Sequence, residues 1–513
     1  MKKLLIYIVA ALAFGGMVSC EKSLDVPNPN EADESNFWKS ENDAILGINA
    51  VYGNAYRNGA YARWLVVYLN PRSDDGLGSS GWPPLRSAAD FTTIDLNFEA
   101  HRNIWDHHYR GIYRTNQVLA YVPEIAMNET LKQRILAEAK FFRALYYFNL
   151  VNLWGNIPLV LTPSRPTDLP AQAGQETTWA QIERDLSEAA PNLPTSYSGA
   201  DLGRVTRGAT YAMLGKAYLQ QRKYQQAADA FNWLVEGEGK GLYELMPNYR
   251  DNFLHTTENN RESVFEIQFK AQQSTTDEDA VTSNLGNQRG PFIAPPGGGF
   301  NDIQMHRWVV YEFLQETTTT GGRDPRLEST AMYDSTDVRG PNFGNFYGRT
   351  FAELVGNAND KRVWYRKYLN DYHRNDETFE GPINLRVIRY ADVLLMYAEC
   401  LNALGRTAEA YPYVDRVRQR AGLATLTAAK PGLGQEAFLR QLMHERVTEL
   451  TGEDVRWLDL ARWGYFDEEA KLAELRARDP EFNNFQLNKH KWLPIPQTEI
   501  DINANLTQNP NWR

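Results

Sequence analysis

The stretch richest in side chains that could do chemistry is residues 444–462, HERVTELTGEDVRWLDLAR, which gathers His444, Glu445, Glu449, Glu453, Arg456, Asp459 and Arg462. Paired carboxylates could act as acid and base in glycoside hydrolysis, and a His–Glu pair could begin a metal site. The spacing argues against both. HERVT has Thr448 where a zinc-protease helix needs its second histidine. Arg446–Glu449 and Arg456–Asp459 stand three apart, the distance for pairing along one helix. A structural ion-pair network is therefore expected here. Asp106, His107 and His108 are adjacent, so one helix face cannot aim both imidazoles at one ion. GEGKG at 237–241 lacks the Lys-Ser/Thr ending of a phosphate loop and reads as a turn. The expectation is a protein without catalytic residues, cofactor or metal, and not an enzyme.

What remains is binding. Two loop-like stretches combine aromatic faces, which suit sugar rings, with carboxylates, amides and guanidinium groups, which suit hydroxyls. The first is 70–91, NPRSDDGLGSSGWPPLRSAADF, where Trp82 lies between Gly81 and Pro83, with Arg72, Asp74, Asp75 and Arg86 nearby. The setting predicts an exposed Trp82 platform. The second is 289–308, with Phe292, Phe300, Asn301, Gln304 and Trp308; inside WVVYEF, Trp308 is read as core in preference to ligand contact. Residues 290–299, GPFIAPPGGG, carry no helical core pattern and are expected to serve capture more than stability. Covering ~100 Å² of a tryptophan face contributes about 2.5 kcal/mol gross. Association costs reduce this, so affinities of micromolar to millimolar, about −4 to −8 kcal/mol, are expected. Trp105, Trp154, Trp457 and Trp463 sit in helical patterns and are expected to pack; Trp64 and Tyr61 are undecided.

The elements that must position these loops are mostly helices. Residues 137–160, AEAKFFRALYYFNLVNLWGNIPLV, place Phe141, Leu145, Phe148 and Asn152 on one stripe, with Glu138, Lys140 and Arg143 largely off it. Tyr146 and Tyr147 widen the apolar surface, so the helix should pack between neighbours. Gly155 and Pro158 stop it. Further helices are expected over 42–56, 102–121, 131–152, 179–189, 207–221 and 224–235. LGKAYLQQRKYQQAADAF fits a tetratricopeptide unit through Leu214, Gly215, Tyr218, Ala227 and Phe231, and residues 394–417 repeat the layout. The repeats are not tandem, so a long insert, 255–372, must separate helical pairs that stack in space. The fold class is mostly α, a tetratricopeptide-like helical-pair core with a loop-rich insert containing minor β structure, such as SVFEIQF.

Lys2 and Lys3, the apolar run 4–14 and MVSC at 17–20 form a leader with an acylation-type ending, so Cys20 is the expected lipidation site. The other cysteine, Cys400, lies in a helical run and is expected to be buried. The net charge of −10 argues against nucleic-acid binding.

The strings AEAKFFRAL, WGNIPLV, NLRVIRYADVLLMYAE, HERVTELTGEDVRWLDLARWG and LPIPQTEI…QNPNW run in order along the chain. They closely resemble landmarks of the SusD/RagB family of surface lipoproteins, as do RDPRL and VWYRKY. Val447 and Asn511 stand where that family often has Arg and Gly. The resemblance implies a leader over 1–19, a tether over 20–40, an N-terminal helical part over 41–254 and a C-terminal part over 255–513. Within the last, helices over 380–465 return to the core and 466–513 form a tail. It also implies a lipid-anchored outer-membrane protein, facing the exterior, that binds oligo- or polysaccharide and delivers it to a SusC-like TonB-dependent transporter. Peptide capture and a protein-binding helical scaffold are the alternatives.

Overall fold

The computed structural model describes residues 37–512 apart from 80, 166, 273–284, 334–345 and 358–360. Cys20, the leader and the tether up to residue 36 lie outside the described residues. In chain order the first half holds α1 (Glu41–Asn54), α2 (Trp64–Arg72), β1 (Gly76–Gly78), α3 (Pro83–Ala89), α4 (Glu99–Tyr121) and α5 (Glu129–Trp154). β2 (Ile157–Pro158), β3 (Gln172–Ala173), α6 (Gln175–Ala189), α7 (Arg207–Gln220), α8 (Tyr224–Val235) and β4 (Ser263–Ile267) follow. The second half holds β5 (Ile303–Met305), α9 (Arg307–Phe313), β6 (Ala331–Tyr333), β7 (Val363–Tyr365) and β8 (Leu385–Arg389). It closes with α10 (Tyr390–Ala403), α11 (Thr407–Arg420), α12 (Gln435–Leu450), α13 (Arg456–Arg462) and α14 (Glu469–Arg478).

α5 is the centre of the helical stack. Asn128 caps it by accepting from the Leu131 amide at 3.0 Å, and Gly155, at φ +73°, ends it. Phe141, Leu145, Tyr146, Tyr147, Leu150 and Trp154 are all buried. Two of the polar residues off the stripe are buried as well: Arg143 grips Asp185 with two hydrogen bonds of 2.8 and 2.7 Å, and Glu138 pairs with Arg204. Where α5 is sandwiched between α4 and α6 these charges are removed from water and must be paired, while Glu129, Thr130 and Gln133 in its first turns stay exposed. The tail completes its end. Asn509 Nδ2 donates to the carbonyl oxygens of Trp154 and Leu493, supplying a partner that a helix C-terminus lacks.

The two tetratricopeptide-like units meet as expected. α7 and α8 form one antiparallel pair, α10 and α11 the other, and α8 packs on α10, where Tyr397 Oη donates to Asn232 Oδ1 at 3.1 Å. Gly215 is required within the first pair, because a Cβ there would lie 2.5 Å from the Phe231 ring. Cys400 is buried in α10.

The charged run 444–462 is a buried network, and its local pairing differs from expectation. Glu449 does not pair with Arg446; it receives Arg389, Arg420 and Arg326 from three other segments. Arg446 instead bridges Asp459 and Asp392. Arg456 does not pair with Asp459 but with Asp74, 382 residues away in sequence. Removed from water, a guanidinium is best satisfied by a two-oxygen grip, which neighbours on one helix cannot offer as well as a facing segment can. His107 and His108 are likewise core residues: the Gly59 amide donates to His107 Nδ1, and His108 Nδ1 donates to the Ile104 carbonyl.

Strand pairing places the insert. β1, β5, β7 and β6 form one antiparallel sheet, with Gly76 opposite Met305 and Gly78 opposite Ile303. β4 pairs with β8. Among the described residues, no helix is long and apolar enough to cross a membrane.

Candidate ligand-binding site

The β1–β5 ladder has one consequence the sequence hides: the two candidate stretches, some 220 residues apart, are one surface. Beyond the ladder the Ser79 amide donates to the Asp302 carbonyl at 2.7 Å. Gly81 lies against Asp302, and a Cβ at Gly81 would come within 2.6 Å of Asp302 Oδ1. Pro83 then opens α3 at its first turn, where a missing amide hydrogen is harmless. The stretch 70–91 is therefore ordered around a strand and a helix, not a free loop.

A continuous run of rings follows. Trp82 packs on Trp64 at 5.3 Å between centroids, Trp64 on Phe292 at 5.7 Å, and Phe292 on Phe300 at 5.6 Å. Phe379 closes the run, 5.8 Å from Phe300. Trp64 and Phe292 form the buried floor, while Trp82 and Phe379 are half-buried and Phe300 is 53% exposed. Arg63 lies beneath, its guanidinium 4.6 Å from the Phe379 ring and its Nε donating to Gln288.

One carboxylate belongs to this face. Asp302 is 6% exposed, and its carboxylate has no hydrogen-bond or ion-pair partner among the described residues. Burial pushes its carboxyl up to about 6. An acceptor held this way beside aromatic rings is ready for a ligand's hydroxyl donors.

Several expected contacts are placed elsewhere. Trp82 is not a freestanding platform; one side of it packs on Trp64 and Phe98. Arg72 is buried, donating to the carbonyls of Ala88 and His490 and lying over Trp457. Asp74 is buried; the cost of its burial is outweighed by Arg456 and Arg478, which hold its carboxyl at about 2. Asp75 is buried too, and burial together with the Asp74 charge pushes it up to about 7. All three are shut off from solvent: Arg72 is spent on Ala88 and His490 and Asp74 on Arg456 and Arg478, while the Asp75 carboxylate oxygens are buried with no hydrogen-bond partner among the described residues. Arg86 is exposed on α3. Asn301, at φ +61°, gives its side-chain oxygen to Trp364 and Gln304. Trp308 is half-buried, its indole donating to the Asp74 carbonyl at 2.6 Å, with Arg478 over the ring. Tyr61 and Trp64 are core residues, and Trp105, Trp154, Trp457 and Trp463 pack as expected.

Asp302 and Phe379 belong to this candidate face and are not among the residues picked out from the sequence. Asp302 is adjacent to Asn301 and could have been found from the alternation leading into β5. Phe379 comes from a separate turn and carries no local signal. A concavity of about 260 Å³ lined by Tyr197, Arg204, Tyr243 and Asn259 lies elsewhere, but Arg204 and Asn259 are engaged by neighbours outside its lining, Asp201 and Gln268. Among the described residues, two side-chain clusters have the composition of a metal centre: Glu316, His444 and Glu445, and His306, Asp479 and Glu481. In the first, Arg418 and Lys430 already supply the positive charge.

Fold and site together define a helical-pair scaffold that presents an aromatic, carboxylate-bearing face from its insert. Models described as the SusD family and as starch-binding, associating with the outer membrane, match residues 261–512 and 24–219. The chain belongs to the SusD family. SusD-like protein P25 of Formosa agariphila is 28% identical, aligning 96% of this chain with 95% of that one. Among solved structures, a SusD superfamily protein from Bacteroides vulgatus superposes with a TM-score of 0.81 at 28% identity, over 93% of this chain and all of that one. A laminarin-binding SusD-like protein superposes with a TM-score of 0.74 at 29% identity, over 92% and 100%.

Proposed function

We propose that the protein captures a glycan on the face formed by Trp82, Phe300 and Phe379, with Asp302 accepting from sugar hydroxyls. The observation that carries this is Asp302: a nearly buried carboxylate, without a partner among the described residues, set among rings that come from three separate chain segments. The 29%-identical relative described as laminarin-binding supports a saccharide over a peptide. Weak, reversible capture suits a protein that hands its ligand on. The receiver in this reading is a SusC-like TonB-dependent transporter, and the protein itself is held to the outer membrane by acylated Cys20 and faces the exterior. Nothing in the reading calls for catalysis: the carboxylates of the 444–462 run are locked by arginines, and Asp302 has no second carboxylate described beside it with which to share acid–base work.

The test is calorimetric titration of the soluble chain from Glu21 onward against neutral polysaccharides, acidic polysaccharides and peptides. At least one polysaccharide should bind with a micromolar to millimolar Kd, and Phe300→Ala should weaken it several-fold. Peptide binding with no polysaccharide binding, or an unchanged affinity in Phe300→Ala, would remove this reading.

A further inference from the structure

The stretch that carries Phe300 and Asp302 runs through β5 into His306, the residue that starts α9. Its amide donates to the Asp75 carbonyl at 2.9 Å, and its imidazole lies at the end of α14. There it meets Asp479, the residue just after α14, and Glu481 in the following turn. His306 Nε2 stands 3.3 Å from Asp479 Oδ1, with the two side chains 14% and 1% exposed. One ligand atom from each of His306, Asp479 and Glu481 lies within 4.8 Å of the other two.

His306 Nε2 and Glu481 Oε2 are shut off from solvent and neither makes an aligned hydrogen bond among the described residues; Nε2 has only the Asp479 carboxylate at ion-pair distance. Buried polar atoms of native proteins are nearly always satisfied, so two without an aligned hydrogen bond in one three-residue cluster call for a further partner. A water could bridge them, but a divalent cation fits the charge better: two carboxylates cancel it and the imidazole adds a neutral donor. The nearby arginines do not fill this role, because Arg456 and Arg478 are both engaged by Asp74. In a tetrahedral site with ligand bonds of about 2.0–2.1 Å, neighbouring donor atoms lie about 3.3 Å apart, which is the His306–Asp479 separation.

We propose that His306, Asp479 and Glu481 form a cation site for a zinc-class divalent ion, closed by water, that fastens the ligand-bearing strand to the C-terminal segment. One imidazole with two carboxylates suits Zn²⁺, Co²⁺, Ni²⁺ or Mn²⁺, whereas Ca²⁺ seeks six to eight oxygens. The site departs from the expectation of no metal because its histidine and carboxylates are about 170 residues apart in sequence.

The test uses the full chain, tag-free, purified in detergent and stripped with a chelator. Co²⁺ should bind at one equivalent with visible d–d absorption, and Zn²⁺ at the same concentration should raise the Tm by several degrees while Ca²⁺ does not. Glu481→Gln, which keeps shape, and His306→Ala should each weaken Co²⁺ binding at least tenfold; circular dichroism of Glu481→Gln reports that the fold persists. Absence of stoichiometric Co²⁺ and Zn²⁺ binding, a response to Ca²⁺ alone, or binding unchanged in both variants would overturn the proposal.

Discussion

Phe300 and Trp82 share one surface but differ in how far each is tied into the core, and this separates their mutants. Phe300 is 53% exposed, so Phe300→Ala should lower ligand affinity several-fold and leave the Tm almost unchanged. Trp82 leans on Trp64 and Phe98, so Trp82→Ala should lose affinity and also about 1–3 kcal/mol of stability. Thermal denaturation and calorimetry on the two variants would reveal an error if Trp82→Ala proved as stable as Phe300→Ala. Asp302→Asn removes a charged acceptor without changing shape. A hydrogen bond to a charged group contributes about 1.5–3 kcal/mol, so affinity should fall about tenfold or more. Stability should not fall, since no protein partner is lost. A titration showing equal affinity in Asp302→Asn would take the carboxylate out of the site.

At the scale of elements, the tight approach of α7 to α8 rests on one missing side chain. A Cβ at Gly215 would sit 2.5 Å from the Phe231 ring, and the ring is buried with nowhere to retreat. Gly215→Val should therefore cost about 1–3 kcal/mol or more, read as a lowered denaturation midpoint with helical content retained. Gly241→Ala, where nothing lies within 4 Å, provides a control for backbone strain alone, since its φ is +87°. The segment 290–299 behaves differently from its sequence. Phe292, Ile293 and Ala294 are 5%, 0% and 0% exposed, so deleting it should abolish folding and not merely capture. Its proline- and glycine-rich composition conceals a short helical turn, Gly290–Ile293, that plugs the core.

For the molecule as a whole, buried acids set the pH response. Burial pushes Glu138 and Glu377 each up to about 7, against about 4.3 for an unfolded glutamate. The folded chain thus holds protons that the unfolded chain has released, a contribution complete below about pH 4 and lost as pH rises through 7. Buried His101 and His108, lowered by burial to about 3 and 4, act in the opposite sense, but only below about pH 6.5 where an unfolded histidine charges. From pH 6.5 to 8 the acids act unopposed. Glu138 and Glu377 alone should remove about 1.5 kcal/mol, a drop of about 1–2 °C in Tm for a chain this long. Asp75, Glu258 and Glu481, pushed up by burial to about 7, 7 and 8, act in the same direction. A Tm that rises over that window would contradict these assignments. Anchoring also belongs to this scale. Cys20→Ala should leave the Tm unchanged and shift the protein from the membrane to the soluble fraction; unchanged acyl labelling would sink the lipoprotein reading.

Sequence alone determined the long helices α1 and α4 to α8, because each buries a periodic stripe whose spacing is local, but it did not show the shorter α2, α3 and α9, which lie in stretches without that period. The predicted 131–152 became Glu129–Trp154, and 224–235 matched residue for residue. It also determined that the charged run 444–462 is structural, since the motif spacing fails chemistry. It could not determine who pairs with whom. Arg456 reaches Asp74 because the fold places α13 against the end of α2, and no spacing along one helix encodes that. The ligand face was half legible. Trp82, Phe292 and Phe300 stand out by composition, yet only the pairing of β1 with β5 brings them to one surface, and only burial shows that Arg72, Asp74 and Asp75 face inward. Asp302 makes the same point most sharply. Nothing in GFNDIQM marks that aspartate as unpaired, because being without a partner depends on every chain segment that packs around it, and that is settled by tertiary structure alone.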